Sequence, residues 1–398
     1  MPPVPPRPAG SAAPRSARRA RHRRIVRRRA AGGAAVVMIV LAGGAAVYAV
    51  SRPADPAVHA VAAVRPPTSK TSTAPTTTTT LRDPRRGNGQ AVTFAFGGDV
   101  HFEGALRAKL AADPSTVLAT IAPVLSSADL AMVNLESAIT EANTPLVKEW
   151  TFRTPANALD ALRAAGVDVA TEANNHGIDF GPQGLADSLA ARAAKQFPVL
   201  GIGANATEAY APYRVEVKGQ RIAIFAATDV MGEEHVASWT ATDTQGGLAS
   251  TKYDAQTRMV AAIQAVRPVV DTVVVFLHWG IERQDCPSPR QQELAQALTD
   301  AGADIVVGSH AHHLQGGGRF NTSFVDYGLG DFVFFNETGE YGRTGVLVVT
   351  ATGRDIDSYQ WVPARIRSGV ATPVPPGPDA DAELAHWNEL RACTGLAP

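Results

Sequence analysis

Asp99 and His101, Asn134 and Glu136, Asn174 to His176, His278, and His310 with His312 form five short polar clusters, each at the end of an apolar run. Taken singly, a His or Asp at such a place caps a turn or satisfies a buried polar neighbour. Five in one chain ask for another reading. Carboxylate, imidazole and amide oxygen together suit borderline or hard divalent cations such as Zn, Mn, Fe or Co, whereas a thiol-rich set selects differently. Asp99, His101, Glu136, Asn175, His278, His310 and His312 are more donors than one tetrahedral ion takes. They suit two ions about 3.5–4 Å apart that share a bridging carboxylate, the arrangement that activates water and clamps a phosphoryl group.

Such clusters must be held by regular elements. From Ala91 onward short apolar runs alternate with Ala/Leu-rich helical stretches, which predicts an α/β fold. The pattern predicts strands over 92–96, 130–134, 167–171, 214–217, 221–226, 272–277, 305–307, 323–325, 345–349 and 358–362. It predicts helices over 116–125, 157–165, 181–194, 255–266 and 290–301. Lys218, Gly219 and Gln220 read as a hairpin turn, 369–378 as a loop, and the remainder as a short polar tail. All five clusters then fall at strand C-terminal ends, the edge where open α/β sheets place their ligand sites.

The chain has 398 residues, with 37 Lys plus Arg against 37 Asp plus Glu. Ten of those Arg and no acid lie in residues 1–29, leaving 27 basic against 37 acidic residues beyond. A body of that sign is the opposite of a nucleic-acid binder, so DNA or RNA is excluded as the main partner. Two cysteines exclude a disulfide scaffold and a multi-cysteine metal site. The uncharged stretch 30–50 is 21 residues long, enough for about 30 Å of helix, the thickness of a bilayer core. With the basic excess on its N-terminal side, the positive-inside rule places residues 1–29 in the cytoplasm and the body outside the cell membrane. A cleavable signal peptide is the alternative. Residues 51–90, rich in Pro and Thr, cannot fold alone and read as an extended, disordered stalk.

The segments GGDVH (97–101), NLESAIT (134–140), ANNHGIDFGPQGL (173–185), HWGIE (278–282), GADIVVGSHAHHLQG (302–316) and YGLGDFVF (327–334) resemble the calcineurin-like metallophosphoesterase pattern. More closely, they are similar to the CapA family of bacterial capsule and poly-γ-glutamate synthesis proteins. The resemblance implies a four-layer α/β/β/α sandwich over 91–366, followed by a C-terminal tail, 367–398. It implies that Asp99, His101 and His312 serve one divalent metal ion, that Asn175, His278 and His310 serve a second, and that Glu136 bridges them. His176 would protonate a leaving oxygen or stabilise the transition state, with Asp179 orienting it. Glu136 stands where the superfamily has Asp, Gly177 where an acid follows the His, and Asp331 where Asn is more usual.

Arg153 in TFRTP reads either as a clamp for an anionic substrate or as a packing residue, and Trp279 as a stacking surface or as core. Cys286 and Cys393 lie on the outer side of the membrane, where they are either bonded or free. Function follows in three forms. The first is synthesis, export or retention of an anionic envelope polymer, with other membrane proteins as partners, since no P-loop is present to drive ligation. The second is an independent metal-dependent phosphoesterase acting on a phosphorylated envelope or nutrient substrate. The third is a non-catalytic binding module. The topology predicts that protease added to intact cells digests the body; protection of the body with loss of an N-terminal tag would reverse the orientation.

Overall fold

The computed structural model describes residues 82–398. The expected Arg-rich segment 1–29, spanning segment 30–50 and residues 51–81 of the stalk lie outside the described residues. Among those described, no helix is long and apolar enough to cross a membrane.

The strands that build the two main sheets are, in chain order, β1 (Val92–Val100), β2 (Leu130–Leu135), β3 (Val169–Thr171), β4 (Val199–Leu200), β5 (Tyr213–Val217), β6 (Gln220–Thr228), β7 (Thr272–His278), β8 (Ile305–Ser309), β9 (Gly317–Phe320), β10 (Ser323–Asp326), β11 (Asp331–Val333), β12 (Arg343–Thr352), β13 (Asp355–Arg367) and β14 (Val370–Pro373). The first four and last four form one sheet, ordered β14, β13, β12, β1, β2, β3, β4, with β11 also paired to β1. The middle six form the other, ordered β9, β10, β8, β7, β6, β5. β1 to β4 pair in parallel, as do β6, β7, β8 and β10, so their C-terminal ends share an edge.

Period-two side-chain alternation explains the layering. Phe94 and Phe96 of β1 meet Ile222, Ile224, Val274 and Phe276 of the facing sheet in one core between the sheets. The intervening residues face outward: Ala95 and Val133 meet Leu110 of α1 (Ala105–Ala112), Leu162 of α2 (Ala158–Ala164) and Leu185 of α3 (Gly181–Lys195). On the other side Phe225, Val275 and Leu277 meet Met259 and Ile263 of α4 (Ala255–Val266) and Leu294 and Leu298 of α5 (Pro289–Ala301). The result is helix, sheet, sheet, helix. α5 starts at a capping box in which Ser288 and Gln291 exchange side-chain-to-backbone bonds, and it ends at Gly302 with φ 113°. Lys218 and Gly219, both at positive φ, close the β5–β6 hairpin.

Four expectations change. The helix predicted over 116–125 is broken into a 3₁₀ turn, Pro114–Thr116, and a short helix, Ala122–Leu125. Leu118, Ile121 and Leu125 are buried as the period requires, but Pro123 has no N–H to continue a helix through. Residues 369–378 are not all loop, because Val370 and Ala371 are buried and pair with β13. The polar tail contains α6 (Pro378–Leu390), which opens on Pro378 with Asp379 and Asp381 in its first turn, and which anchors Trp387 flat against Trp361 at 5.4 Å. Cys393, just beyond it, is bonded to Cys286, with a Cα separation of 5.7 Å. The end of the expected stalk is also docked: Arg85 and Arg86 pair with Asp355, at 2.7 and 2.9 Å.

Because Trp387 is fully buried in the inter-sheet core, Trp387→Ala should destabilise the protein by about 3–5 kcal/mol in urea unfolding. An unchanged midpoint would mean that α6 is a dispensable appendage.

Candidate metal centre

The site begins at a bulge in β1. Phe96 pairs with Met132, but Asp99 pairs with Asn134, so one extra residue is accommodated at Gly97 and Gly98. A Cβ on Gly98 would stand 1.9 Å from the Gly330 carbonyl oxygen, so only glycine permits this approach. The bulge delivers Asp99, fully buried, between Asn134 of β2 and Asp331 of β11.

Two asparagines then fix the neighbours. Asn134 donates through Nδ2 to Asp99 Oδ1 at 2.7 Å and meets His278 Nδ1 at 3.0 Å, while its Oδ1 accepts from Asn174 Nδ2 at 3.0 Å. Asn174 also accepts the His176 N–H through Oδ1 at 3.0 Å. At the far nitrogen of His278, Nε2 lies 2.8 Å from Asn175 Oδ1 and 3.4 Å from Glu136 Oε1. His310 and His312 both have positive φ, 101° and 56°, in a region a non-glycine residue occupies only under constraint. In that conformation the His310 N–H donates to Asp99 Oδ2 at 3.0 Å.

At the centre Glu136 is fully buried and neither carboxylate oxygen accepts a hydrogen bond. His310 Nδ1 and Asp331 Oδ2 are buried and unpaired as well. Burial pushes the carboxyls of Asp99 and Glu136 up, and that of Asp331 up to about 7, while it pushes His278 down to about 4 and His310 well below its ordinary value. Burial also disfavours a charged His312, but Asp331, Glu136 and Asp99 outweigh it and raise that ring well above its ordinary value. Neutral imidazoles aimed at unpaired carboxylates are the donor set a divalent cation accepts. Two candidate ligand groups share one residue: Glu136 with His310 and His312, and Asp99 with His312 and Asp331.

His176 stands beside this centre. Its Nδ1 meets Asp179 Oδ2 at 2.6 Å, its Nε2 lies 3.8 Å from Glu136 Oε1, and Phe152 stacks on its ring at 4.2 Å. Asp179 also accepts from the Phe152 N–H and pairs with Lys148, whose ammonium donates in addition to the Asn175 carbonyl. Lys148 thus holds both loops. A cleft of about 190 Å³ lined by Trp150, Phe152, His176, His312, Phe334 and Phe335 opens onto the site.

The structure departs from the expected set at three residues. His101 and His278 both fall outside the two ligand groups, but His278 Nε2 faces Glu136 Oε1 at 3.4 Å, whereas His101 Nδ1 accepts the Glu103 N–H at 3.1 Å and Phe152 and Phe334 pack on its ring. Asp331 takes the place beside Asp99 and His312 instead. Arg153 is no substrate clamp, since its guanidinium bonds the carbonyls of Glu141 and Ala142 and the Asn143 side chain and lies over Phe180. Trp279 is core: fully buried, it donates to the Tyr327 carbonyl at 2.8 Å and fills the space that Gly308 leaves open. Asn134, Asn174 and Lys148 were not singled out as site residues, although both asparagines sit in the strand-end clusters.

Removing His278 or His310 takes away one of the few neutral donors. His278→Ala and His310→Ala should each lose roughly one metal equivalent by elemental analysis. His101→Ala should lose less, and unchanged content in the first two would remove the assignment.

The model of the family described as bacterial capsule synthesis protein PGA_cap matches residues 93–336. The chain is 32% identical over 217 residues to the PGA biosynthesis protein CapA of Bacillus subtilis, covering 54% of this chain and 55% of that protein. It is 37% identical over 175 residues to the capsule biosynthesis protein CapA of Bacillus anthracis, covering 44% and 42%. The chain therefore spans about half the length of these relatives. Among solved structures, a 5'-nucleotidase from Candida albicans overlaps 77% of this chain and 53% of its own, with TM-score 0.42 and 11% identity, too loosely to transfer chemistry. The family match runs from β1 to the loop after β11 and takes in every candidate ligand, and the chain belongs to the bacterial capsule synthesis protein family PGA_cap.

Proposed function

We propose that the protein acts in the synthesis, export or retention of an anionic envelope polymer, poly-γ-glutamate or capsule, through a dinuclear metal centre with hydrolytic chemistry. The observation that carries this reading is Glu136, an acid buried without a hydrogen bond among four imidazoles, inside the span that matches the family. The polymer comes from the names of the relatives, one for PGA and one for capsule biosynthesis. Asp99 and His312 would hold one ion, Asn175, His278 and His310 the other, and Glu136 would lie between them. Ions so held supply an activated water and neutralise charge that develops on the substrate oxygen.

The chain's own residues do the rest. Asp179 accepts from His176 Nδ1 and keeps its Nε2 turned toward Glu136, where it delivers a proton to a leaving oxygen. Phe152 covers the ring of His176 and excludes water from that face. The Arg-rich front and the uncharged span 30–50 support anchoring in the cell membrane with the body outside, where the polymer and its other membrane proteins are met.

Two arms test the reading. Exchange of the chromosomal gene for the His278→Ala variant should reduce surface polymer to the level of a deletion strain, and normal polymer would contradict the role. In the purified protein His176→Ala should keep its metal while phosphodiester hydrolysis falls about 100-fold to 10,000-fold. Wild-type hydrolysis in that variant would take His176 out of the chemistry, and no hydrolysis by the wild type would leave the centre without the hydrolytic role.

A further inference from the structure

We infer that Asp331 is a positioning residue of this centre: it turns His312 so that Nε2 faces the ion, and it adds a negative charge that tightens the ion's binding. The inference rests on the metal reading above. Asp331 is fully buried on β11, directly opposite Asp99 on β1. Its Oδ1 lies 2.7 Å from His312 Nδ1, while Asp99 Oδ2 lies 3.7 Å from the same nitrogen. Donors around a tetrahedral ion with bonds of about 2.0–2.1 Å are separated by about 3.3 Å, so the closer contact is a hydrogen bond and not an edge of a coordination shell. Nδ1 therefore donates to Asp331, and Nε2 is the nitrogen left for an ion on the side of Glu136.

Hydrogen bonding alone does not require an acid here. An amide oxygen at 331 would accept the same N–H, and what the carboxylate adds is charge. Its Oδ2 is buried without a partner, and no Lys or Arg pairs with it among the described residues. Asp99, Glu136 and Asp331 thus place three carboxylates where two dications would need neutralising.

Metal-stripped full-length protein, Asp331→Asn and Asp331→Ala would each be titrated with Mn²⁺ by calorimetry, and each metal-free protein melted. Asp331→Asn keeps the shape and the acceptor but removes the charge. It should bind one of the two Mn²⁺ equivalents about 10–100-fold more weakly. Its metal-free form should still melt in one cooperative transition, because the amide oxygen keeps the hydrogen bond to His312 Nδ1. Asp331→Ala, which also releases His312, should bind at least as weakly. Equal Mn²⁺ affinity in wild type and Asp331→Asn overturns this inference and leaves the metal reading standing. Loss of the cooperative metal-free transition in Asp331→Asn makes the residue structural and overturns it too, whereas failure of the wild type to bind Mn²⁺ overturns the metal reading itself.

Discussion

Glu136 lies at the seam between two sheets, with neither carboxylate oxygen accepting a hydrogen bond and with solvent excluded. An isolated carboxylate in that position is several kcal/mol less stable than in water unless a cation or a proton accompanies it. Burial raises the carboxyls of Asp99, Glu136 and Asp331 together, which means that the polypeptide alone does not stabilise their charges. A pair of divalent ions would reverse that balance, and burial holds two of the nearby imidazoles, His278 and His310, neutral. The arrangement is costly to the metal-free protein and would be offset by bound cations.

The surrounding fold serves this concentration of unpaired groups. The bulge at Gly97 and Gly98 brings Asp99 inward, two histidines adopt left-handed backbone conformations, and Asn134 and Asn174 tie three strand ends into one network. Strain of this kind persists only where packing over-determines it. The inter-sheet core of Phe94, Phe96, Val274 and Phe276 lies under the site, and the bond between Cys286 and Cys393 pins the loop after His278 to the C-terminal segment. Lys148 joins Asn175 to Asp179 and so couples a candidate ligand to the carboxylate that holds His176.

Much of this was legible because strand periodicity is local. Alternation along 92–96, 221–226 and 272–277 places the two sheets and their helices, and it puts Asp99, Glu136, His278 and His310 at strand ends. Properties that depend on direction or distant pairing were not legible. Arg153 and Trp279 have the chemistry of substrate binders, but their side chains turn toward backbone carbonyls, and no local pattern encodes that turn. Asp331 enters the site only because β11 returns to pair with β1. His101 has a ligand's chemistry and spacing, yet the Glu103 N–H occupies the nitrogen whose protonation would free the other for a metal. α6 buries little beyond Trp387, so its apolar period is too sparse to separate it from a polar tail.

The central claim is that Glu136 is buried to lie between two cations. Crystals of the protein grown with Mn²⁺ and measured at a wavelength where manganese scatters anomalously would test this directly. The account predicts two anomalous peaks about 3.5–4 Å apart on either side of the Glu136 carboxylate, one beside Asp99 and His312 and the other beside Asn175, His278 and His310. A map with no peak at Glu136, or with ions bound elsewhere on the surface alone, would contradict it.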